Sequence, residues 1–371
     1  MSSGKTSCWM ILVADRFFFW RANGSARRIQ QGLRALFAVC LLWLLASCQQ
    51  PQQIHLLSGE TMGTTWSVKL VDLPSGVTLT GVREDIELLL ESINRQMSTY
   101  RGDSDISRFN QAEAGSWQVL PADFWRVIQY SLQLAHDTNG AFDPTVGPLV
   151  NLWGFGPDRR REEPPAAAEL AAVQGRIGYR RLALREADQA LLQPGGAYVD
   201  LSAVAKGYAV DKVADLLLGM GVENLLVEIG GELRAHGAKP AGQPWKVAIE
   251  KPLPGVREVA HVIAMNNIAI ATSGDYRNYF QAGERRYSHI IDPRSGYPVD
   301  HRVVSVSVLH PRCAEADALA TALTVMGAEE GMAWAEARQL AVLFMVQSGS
   351  TVEEHASSAF RRLTQRRPPH D

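Results

Sequence analysis

Six short runs hold residue types that could do chemistry. In Tyr198-Val-Asp200-Leu-Ser202-Ala203-Val-Ala-Lys206-Gly207 an expected strand ends in an aspartate, a serine stands where a helix would begin, and a lysine falls in its first turn. Unpaired N–H groups at a helix start with a lysine beside them suit anionic oxygens. A Ser-capped helix with a solvated lysine is the plainer reading of the same spacing. In Glu315-Ala-Asp317-Ala-Leu-Ala320-Thr321 the aspartate and threonine are four apart, so their oxygens project from one helical face. A small set of hard oxygens suits Mg²⁺. The plainer alternative is an acid favoured by the helix dipole and a threonine bonded to its own backbone.

The third run, Tyr287-Ser-His289-Ile-Ile291-Asp292-Pro, sets a histidine, a candidate base, on a strand that enters an Asp-Pro turn. A lone histidine is also commonly a packed or hydrogen-bonded one. Gly140-Ala141-Phe142-Asp143-Pro144 reads as a helix end followed by a turn, and Met62-Gly63-Thr64-Thr65 leads into a strand. Glu228-Ile-Gly230-Gly231-Glu232 pairs glycines where a ligand or another backbone could approach closely. The common nucleotide cradles are missing: no Gly-x-Gly-x-x-Gly follows a strand, and there is no Walker loop, His-Glu-x-x-His or Gly-x-Ser-x-Gly elbow.

The elements that must position these runs alternate in type. Segment 65–71 has period-two alternation and reads as a strand. Ile86, Leu89, Leu90, Ile93 and Met97 mark a helix over 82–98, and a second begins at Pro121 with Phe124, Val127, Ile128, Leu134 and Ala135 on one face. Pro164 and Pro165 open a loop and a short helix, and strand-like runs follow at 181–184 and 189–193. A helix is expected at 203–218, a strand at 224–229, several strands between 245 and 309, helices at 314–326 and 329–338, and a strand at 340–346. The strand-only stretch argues against a βαβ repeat. The pattern is α+β, a single large domain (48–349) with a mostly antiparallel sheet core flanked by helices.

Composition is that of a globular chain, with 46% hydrophobic and 20% charged residues over 371 positions. Residues 36–46 form an apolar run of eleven after Arg27, Arg28 and Arg34. Eleven helical residues span about 16 Å, too little for a bilayer, and the run ends in Leu45-Ala46-Ser47-Cys48, which looks like a lipobox. Residues 1–47 are therefore expected to be an export signal with a long leader, cleaved before Cys48. The leader's Phe17–Trp20 run suggests a start codon placed too early. The signal carries six basic residues and one acidic, so a chain of net charge −2 becomes −7 after cleavage. Such a chain repels phosphate unless local cations or a metal intervene, and nothing suggests a nucleic-acid partner. Cys313 would remain as an unacylated cysteine, and residues 350–371 read as a basic solvated tail.

Taken in order, the six runs resemble the flavin transferases of the ApbE family, from about Gly59 to Val346. Asp200–Tyr208 and Ser288–Pro293 are the most specific parts; Met97-Ser-Thr-Tyr100 and Asp105-Ile-Ser-Arg-Phe-Asn110 also match. The resemblance implies Mg²⁺-dependent transfer of FMN from FAD to a threonine or serine hydroxyl of a protein, with release of AMP. It implies FAD contacts at Met62, Tyr100, Ala141, Phe142, Asp143, Asp200, Lys206 and Ile291. The metal would be held by the Ala203 carbonyl, Asp317 and Thr321, with His289 as the base. Ser295 departs from the family's more usual threonine but keeps a hydroxyl. Implied acceptors are subunits of sodium-translocating NADH:quinone reductase or related electron-transport complexes, met by a lipid-anchored enzyme on the periplasmic side, the inner membrane being favoured. A hydrolase splitting FAD to FMN and AMP, a non-catalytic flavin-binding lipoprotein and a solute-binding lipoprotein are the competing readings.

Overall fold

Alternation along the strands decides how the sheet is buried. Leu225, Val227 and Ile229 point into one apolar core while Leu226 points into another, and Val342 and Phe344 separate in the same way from Leu343 and Met345. A sheet with both faces apolar must be covered on both sides. The computed structural model describes residues 52–365 apart from 158–160, 162, 253–257, 275–278, 284 and 350. The signal, the lipobox and the Phe17–Trp20 run lie outside the described residues.

Eight strands form the central sheet: β1 (Ile54–Thr61), β2 (Thr64–Val71), β3 (Leu225–Ile229), β4 (Glu232–His236), β5 (Ile268–Gly274), β6 (Val303–His310), β7 (Ala341–Ser348) and β8 (Thr351–Ala356). Their order in the sheet is their order in the chain, and every neighbouring pair is antiparallel. The principal helices are α1 (Leu79–Met97), α2 (Ala122–Asp137), α3 (Ala205–Gly219), α4 (Cys313–Ala337) and α5 (Ser358–Gln365). Helices α1 to α4 cover one face, through residues such as Ile86, Phe124, Val210 and Leu323. The hairpin Trp245–Glu250/Val259–Met265 and Phe360 of α5 cover the other. Among the described residues no helix is long and apolar enough to cross a membrane.

The α+β architecture and antiparallel core agree with the sequence reading; several boundaries do not. Strand β1 was not expected: its burial alternates, but the apolar Ile54 and Leu56 fall on the exposed side and the polar His55 and Thr61 on the covered one, so residue type does not report the alternation. The segment 181–184 is a 3₁₀ turn, Tyr179–Arg181, and the beginning of a two-residue strand, Leu184–Arg185. The two helices expected at 314–326 and 329–338 are the two limbs of α4, broken at Gly327, whose φ of +80° a helix cannot hold. The expected solvated tail needs correction. Residues 351–356 pair with β7, and α5 buries Ala359 and Phe360, with the Phe360 N–H capped by Ser357 Oγ at 3.1 Å. The basic side chains of Arg361 and Arg362 lie on its exposed side, so the composition concealed an amphipathic helix.

Because the sheet is sequential, the long excursions are the connections. Residues 72–224 leave between β2 and β3, residues 275–302 between β5 and β6, and α4 between β6 and β7. The candidate residues lie on these three excursions, on the β3–β4 hairpin and on the β1–β2 turn.

Candidate functional site

Helices α3 and α4 pack so closely that residue 207 must lack a side chain. A Cβ there would strike the Cys313 carbonyl and stand 2.8 Å from Asp317 Cβ. Neither helix has a side-chain cap of its own, and each caps the other. Asp211 of α3, fully buried, accepts from the Ala314 N–H at 3.0 Å and from Arg312 and Arg234 at 3.2 and 3.0 Å. Asp317 of α4 accepts from the Gly207 N–H at 2.9 Å. A regular helical turn would have sent that N–H to the Ala203 carbonyl, so the carbonyl loses its donor. Thr321 stands one turn along α4 from Asp317. Among the described residues its hydroxyl makes no backbone bond, whereas Thr324 Oγ1 donates to Ala320 O at 2.7 Å.

Lys206 closes this cluster. Its Nζ lies 2.6 Å from Glu232 Oε1 and 3.9 Å from Asp317 Oδ1. Burial pushes the lysine down, but Asp317 and Glu232 outweigh it and hold the ammonium above its ordinary range. Burial raises the Glu232 carboxyl well above its usual range, reinforced by Asp317 and opposed by Lys206. It raises Asp317 as well, against Lys206 and the Gly207 N–H. Two carboxyl groups share one ammonium in a largely buried place, and burial together with their mutual repulsion favours a proton on one of them. Among the described residues no three His, Cys, Asp or Glu side chains are arranged to hold a metal ion by themselves. The donors here are a carbonyl, a carboxylate and a hydroxyl oxygen, the mixed hard set that Mg²⁺ accepts. The residues fit a divalent cation.

Glu232 had no role in the sequence reading. The signal was present: the β3–β4 turn Gly230-Gly231 pairs Ile229 with Glu232, and paired residues share a face, so an acid is turned toward the α3 side. Gly230 holds φ +62°, and a Cβ there would lie 2.9 Å from Thr64 and 3.3 Å from Lys206 Cδ. The glycine pair therefore allows the close approach that its position suggested. The same contact brings in the β1–β2 turn. Met62 and Gly63 both have positive φ, the two-residue turn that fits a twisted hairpin. At +50° Met62 holds a conformation that costs a non-glycine residue roughly 1 kcal/mol or more.

A second group adjoins the first. No strand leads into Asp200; instead Asn110 copies a strand's pairing, donating to Val199 O at 2.9 Å and accepting from Val199 N at 2.7 Å. Asp200 N–H donates to Pro144 O at 2.8 Å, which joins it to the Ala141–Pro144 turn. Ser202 does not cap α3. Its N–H and hydroxyl both donate to Asp200 Oδ1, at 2.8 and 2.5 Å, closing a tight turn before the helix begins at Ala205. Tyr100 is 70% exposed, and burial of its hydroxyl with the nearby Asp200 charge raises its pKa.

Asp143 is buried and spends its oxygens on Thr145 N (2.8 Å), Thr145 Oγ1 (2.6 Å) and Tyr179 N (2.9 Å), so it orders the loop. Burial still carries its carboxyl upward. Beside it opens a cleft of about 520 Å³, lined among others by Gly140, Asp143, Tyr179, Arg180 and Arg294. The buried Tyr179 hydroxyl has no partner among the described residues.

The third group is the segment carrying His289 and Ile291. His289 follows the strand Arg285–Ser288, and its ring meets Phe155 edge-on at 6.2 Å. Ile291 is buried with Leu149, Trp153 and Leu170. The following turn is tied down by Trp153 Nε1 to Gly296 O (3.0 Å), Gln174 Nε2 to Ser295 O (2.8 Å) and Arg294 to Asp292 (3.0 Å). The structure thus brings Lys206 and Asp317 together, sets Thr64 at the end of the Met62 turn beside them through Gly230, joins Asp200 to the Ala141–Pro144 turn, and leaves Tyr100 within reach of the Asp200 charge.

The ApbE family model matches residues 62–344. A protein of Vibrio cholerae serotype O1 named FAD:protein FMN transferase is 48% identical over 327 residues, covering 88% of this chain and 97% of that protein. One of the same name from Haemophilus influenzae is 42% identical over 340 residues, covering 90% and 98%. Among solved structures, the flavin transferase ApbE from Vibrio cholerae superposes with a TM-score of 0.79 at 46% identity, covering 84% of this chain and 100% of that one.

Proposed function

This chain belongs to the ApbE family, and from that premise we propose that it is an FAD:protein FMN transferase acting on a threonine or serine hydroxyl. The reaction breaks a P–O bond of the FAD diphosphate and forms a phosphoester between the flavin-side phosphorus and the acceptor oxygen. The bridging oxygen leaves with AMP. His289 takes the acceptor's proton. A phosphate monoester has a second pKa of about 6, so the leaving group departs without a strong acid.

The observation that carries this reading is the crossed capping of α3 and α4. By taking the Gly207 N–H, Asp317 releases the Ala203 carbonyl and holds its own carboxylate beside Lys206, one turn from Thr321. Mg²⁺ held by these three oxygens would neutralise the diphosphate and the charge that grows at phosphorus. Lys206, kept protonated by its two carboxylates, contributes a fixed positive charge in a chain that is otherwise acidic. Met62, Tyr100, Ala141, Phe142, Asp143, Asp200 and Ile291 complete the FAD cradle, Asp143 through the backbone that it orders.

The test is incubation of the purified chain with FAD and Mg²⁺, with and without an acceptor polypeptide. Covalent flavin on the acceptor, with AMP released in equal amount, is the expected result. AMP released without acceptor makes the protein an FAD pyrophosphatase, and tight FAD binding without turnover makes it a carrier.

Residues 27–48 support a lipid anchor at Cys48 on the periplasmic side, with the inner membrane favoured. An enzyme so placed would meet the exported segments of membrane-bound redox complexes, among them subunits of sodium-translocating NADH:quinone reductase.

A further inference from the structure

Glu232 is 4% exposed, and only one of its carboxylate oxygens is accounted for. Oε1 holds Lys206 at 2.6 Å, while Oε2 is buried with no hydrogen-bond partner among the described residues. An unsatisfied buried acceptor costs about 1–3 kcal/mol, and more when charged. Lys206 does not require this acid for neutrality, since Asp317 already stands 3.9 Å away. The second carboxyl is therefore more than the ammonium needs, and its free oxygen is what the cluster leaves unexplained.

Resting on the ion site proposed above, we propose that Glu232 is a positioning residue of that site: Oε1 fixes Lys206, and Oε2 accepts a hydrogen bond from water bound to the divalent ion. Mg²⁺ takes about six oxygens and gives up its water reluctantly. The Ala203 carbonyl, Asp317 and Thr321 would supply three, which would leave the remaining positions to water and diphosphate oxygens. Metal-bound water would be a strong donor, a nearby cation would favour the ionised carboxyl, and Oε2 is already fixed in place as the acceptor. The β3–β4 turn serves this role, since its glycines let the strand pair come close enough to Lys206 for the next inward residue to reach the cluster.

The experiment measures Mn²⁺ affinity by electron paramagnetic resonance, together with ion-free FAD affinity and Tm. The chains compared are the wild type, Glu232→Gln, Glu232→Asp and Asp317→Asn. Glu232→Gln keeps an oxygen for Lys206 but presents N–H donors in place of Oε2. A 10–100-fold loss of Mn²⁺ affinity is expected, the range seen when outer partners of a metal site are removed. Ion-free FAD affinity should change far less, since glutamine keeps the oxygen that holds Lys206. Glu232→Asp keeps the charge but withdraws both oxygens by one methylene, and it should also lose affinity, so it decides the matter if the glutamine variant fails to fold. Unchanged Mn²⁺ affinity in a folded Glu232 variant, with affinity lost in Asp317→Asn, overturns this proposal alone. A wild type that binds no Mn²⁺, or an Asp317→Asn that binds it normally, overturns the ion site itself and this proposal with it.

Discussion

Replacing Asp317 by asparagine separates what the carboxylate does for the fold from what it does for the reaction. Asp317 is 6% exposed and its carboxylate accepts the Gly207 N–H at 2.9 Å, a contact that the asparagine Oδ1 can keep. The charge is what is lost. An ion pair at 3.9 Å in a medium of effective dielectric about 20 is worth roughly 4 kcal/mol. Burial, which raises this carboxyl, already offsets much of that. Lys206 keeps Glu232 at 2.6 Å, and the repulsion between the two carboxylates disappears. The net change in stability should therefore stay below the roughly 3–5 kcal/mol that removing a buried ion's sole partner costs, because Lys206 is not left uncompensated. Catalysis has no such compensation. Loss of one fixed transition-state contact costs about 10²–10³ in rate, or roughly 3–4 kcal/mol. The assay is flavin transfer to the acceptor, followed by covalent flavin fluorescence at saturating Mg²⁺, with Tm from calorimetry. A folded variant that retained a third or more of the wild-type rate would refute the assignment of Asp317 to the ion.

His289→Ala should bind FAD as the wild type does and transfer it about 10²–10⁴-fold more slowly; lost FAD affinity with unchanged turnover would make His289 a binding residue. Gly207→Ala places a Cβ against the Cys313 carbonyl and 2.8 Å from Asp317 Cβ, so α3 and α4 must part. About 1–3 kcal/mol of stability should go with the Mn²⁺ site, and an unchanged Tm would show that the helix spacing is not tight. Cys48→Ser should yield an unlipidated enzyme that fractionates with soluble protein and stays active. Its retention on membranes would point to the Phe17–Trp20 run as a second anchor.

The strands and helices were readable where side chains report their surroundings. Helix α1 follows its apolar stripe of Ile86, Leu90, Ile93 and Met97, and β3 alternates cleanly between two cores. Edge strand β1 was hidden because little of it is buried, and α5 because the four arginines of the segment, Arg361, Arg362, Arg366 and Arg367, outnumber the two side chains that the helix buries. At the site, the Asp317–Thr321 spacing and the lysine in the first turn of α3 are local facts and were legible. The crossed caps are not. Whether Ser202 caps a helix or bonds Asp200, and whether Asp211 reaches Ala314, depend on partners distant in sequence or on competing local bonds of similar strength. Asn110 shows the same limit, since its part in ordering Asp200 depends on residues 89 positions away. Glu232 was visible as an acid beside two glycines, yet only the register of the β3–β4 hairpin shows that it faces inward.

The most direct measurement is a crystal structure of His289→Ala soaked with FAD and Mn²⁺, with the ion located by its anomalous signal. One strong peak is expected within hard-cation coordinating distance, about 2.0–2.6 Å, of the Ala203 carbonyl oxygen, an Asp317 carboxylate oxygen and Thr321 Oγ1, and beside an oxygen of the FAD diphosphate. A peak elsewhere along the diphosphate, with those three oxygens turned from it, would contradict the account.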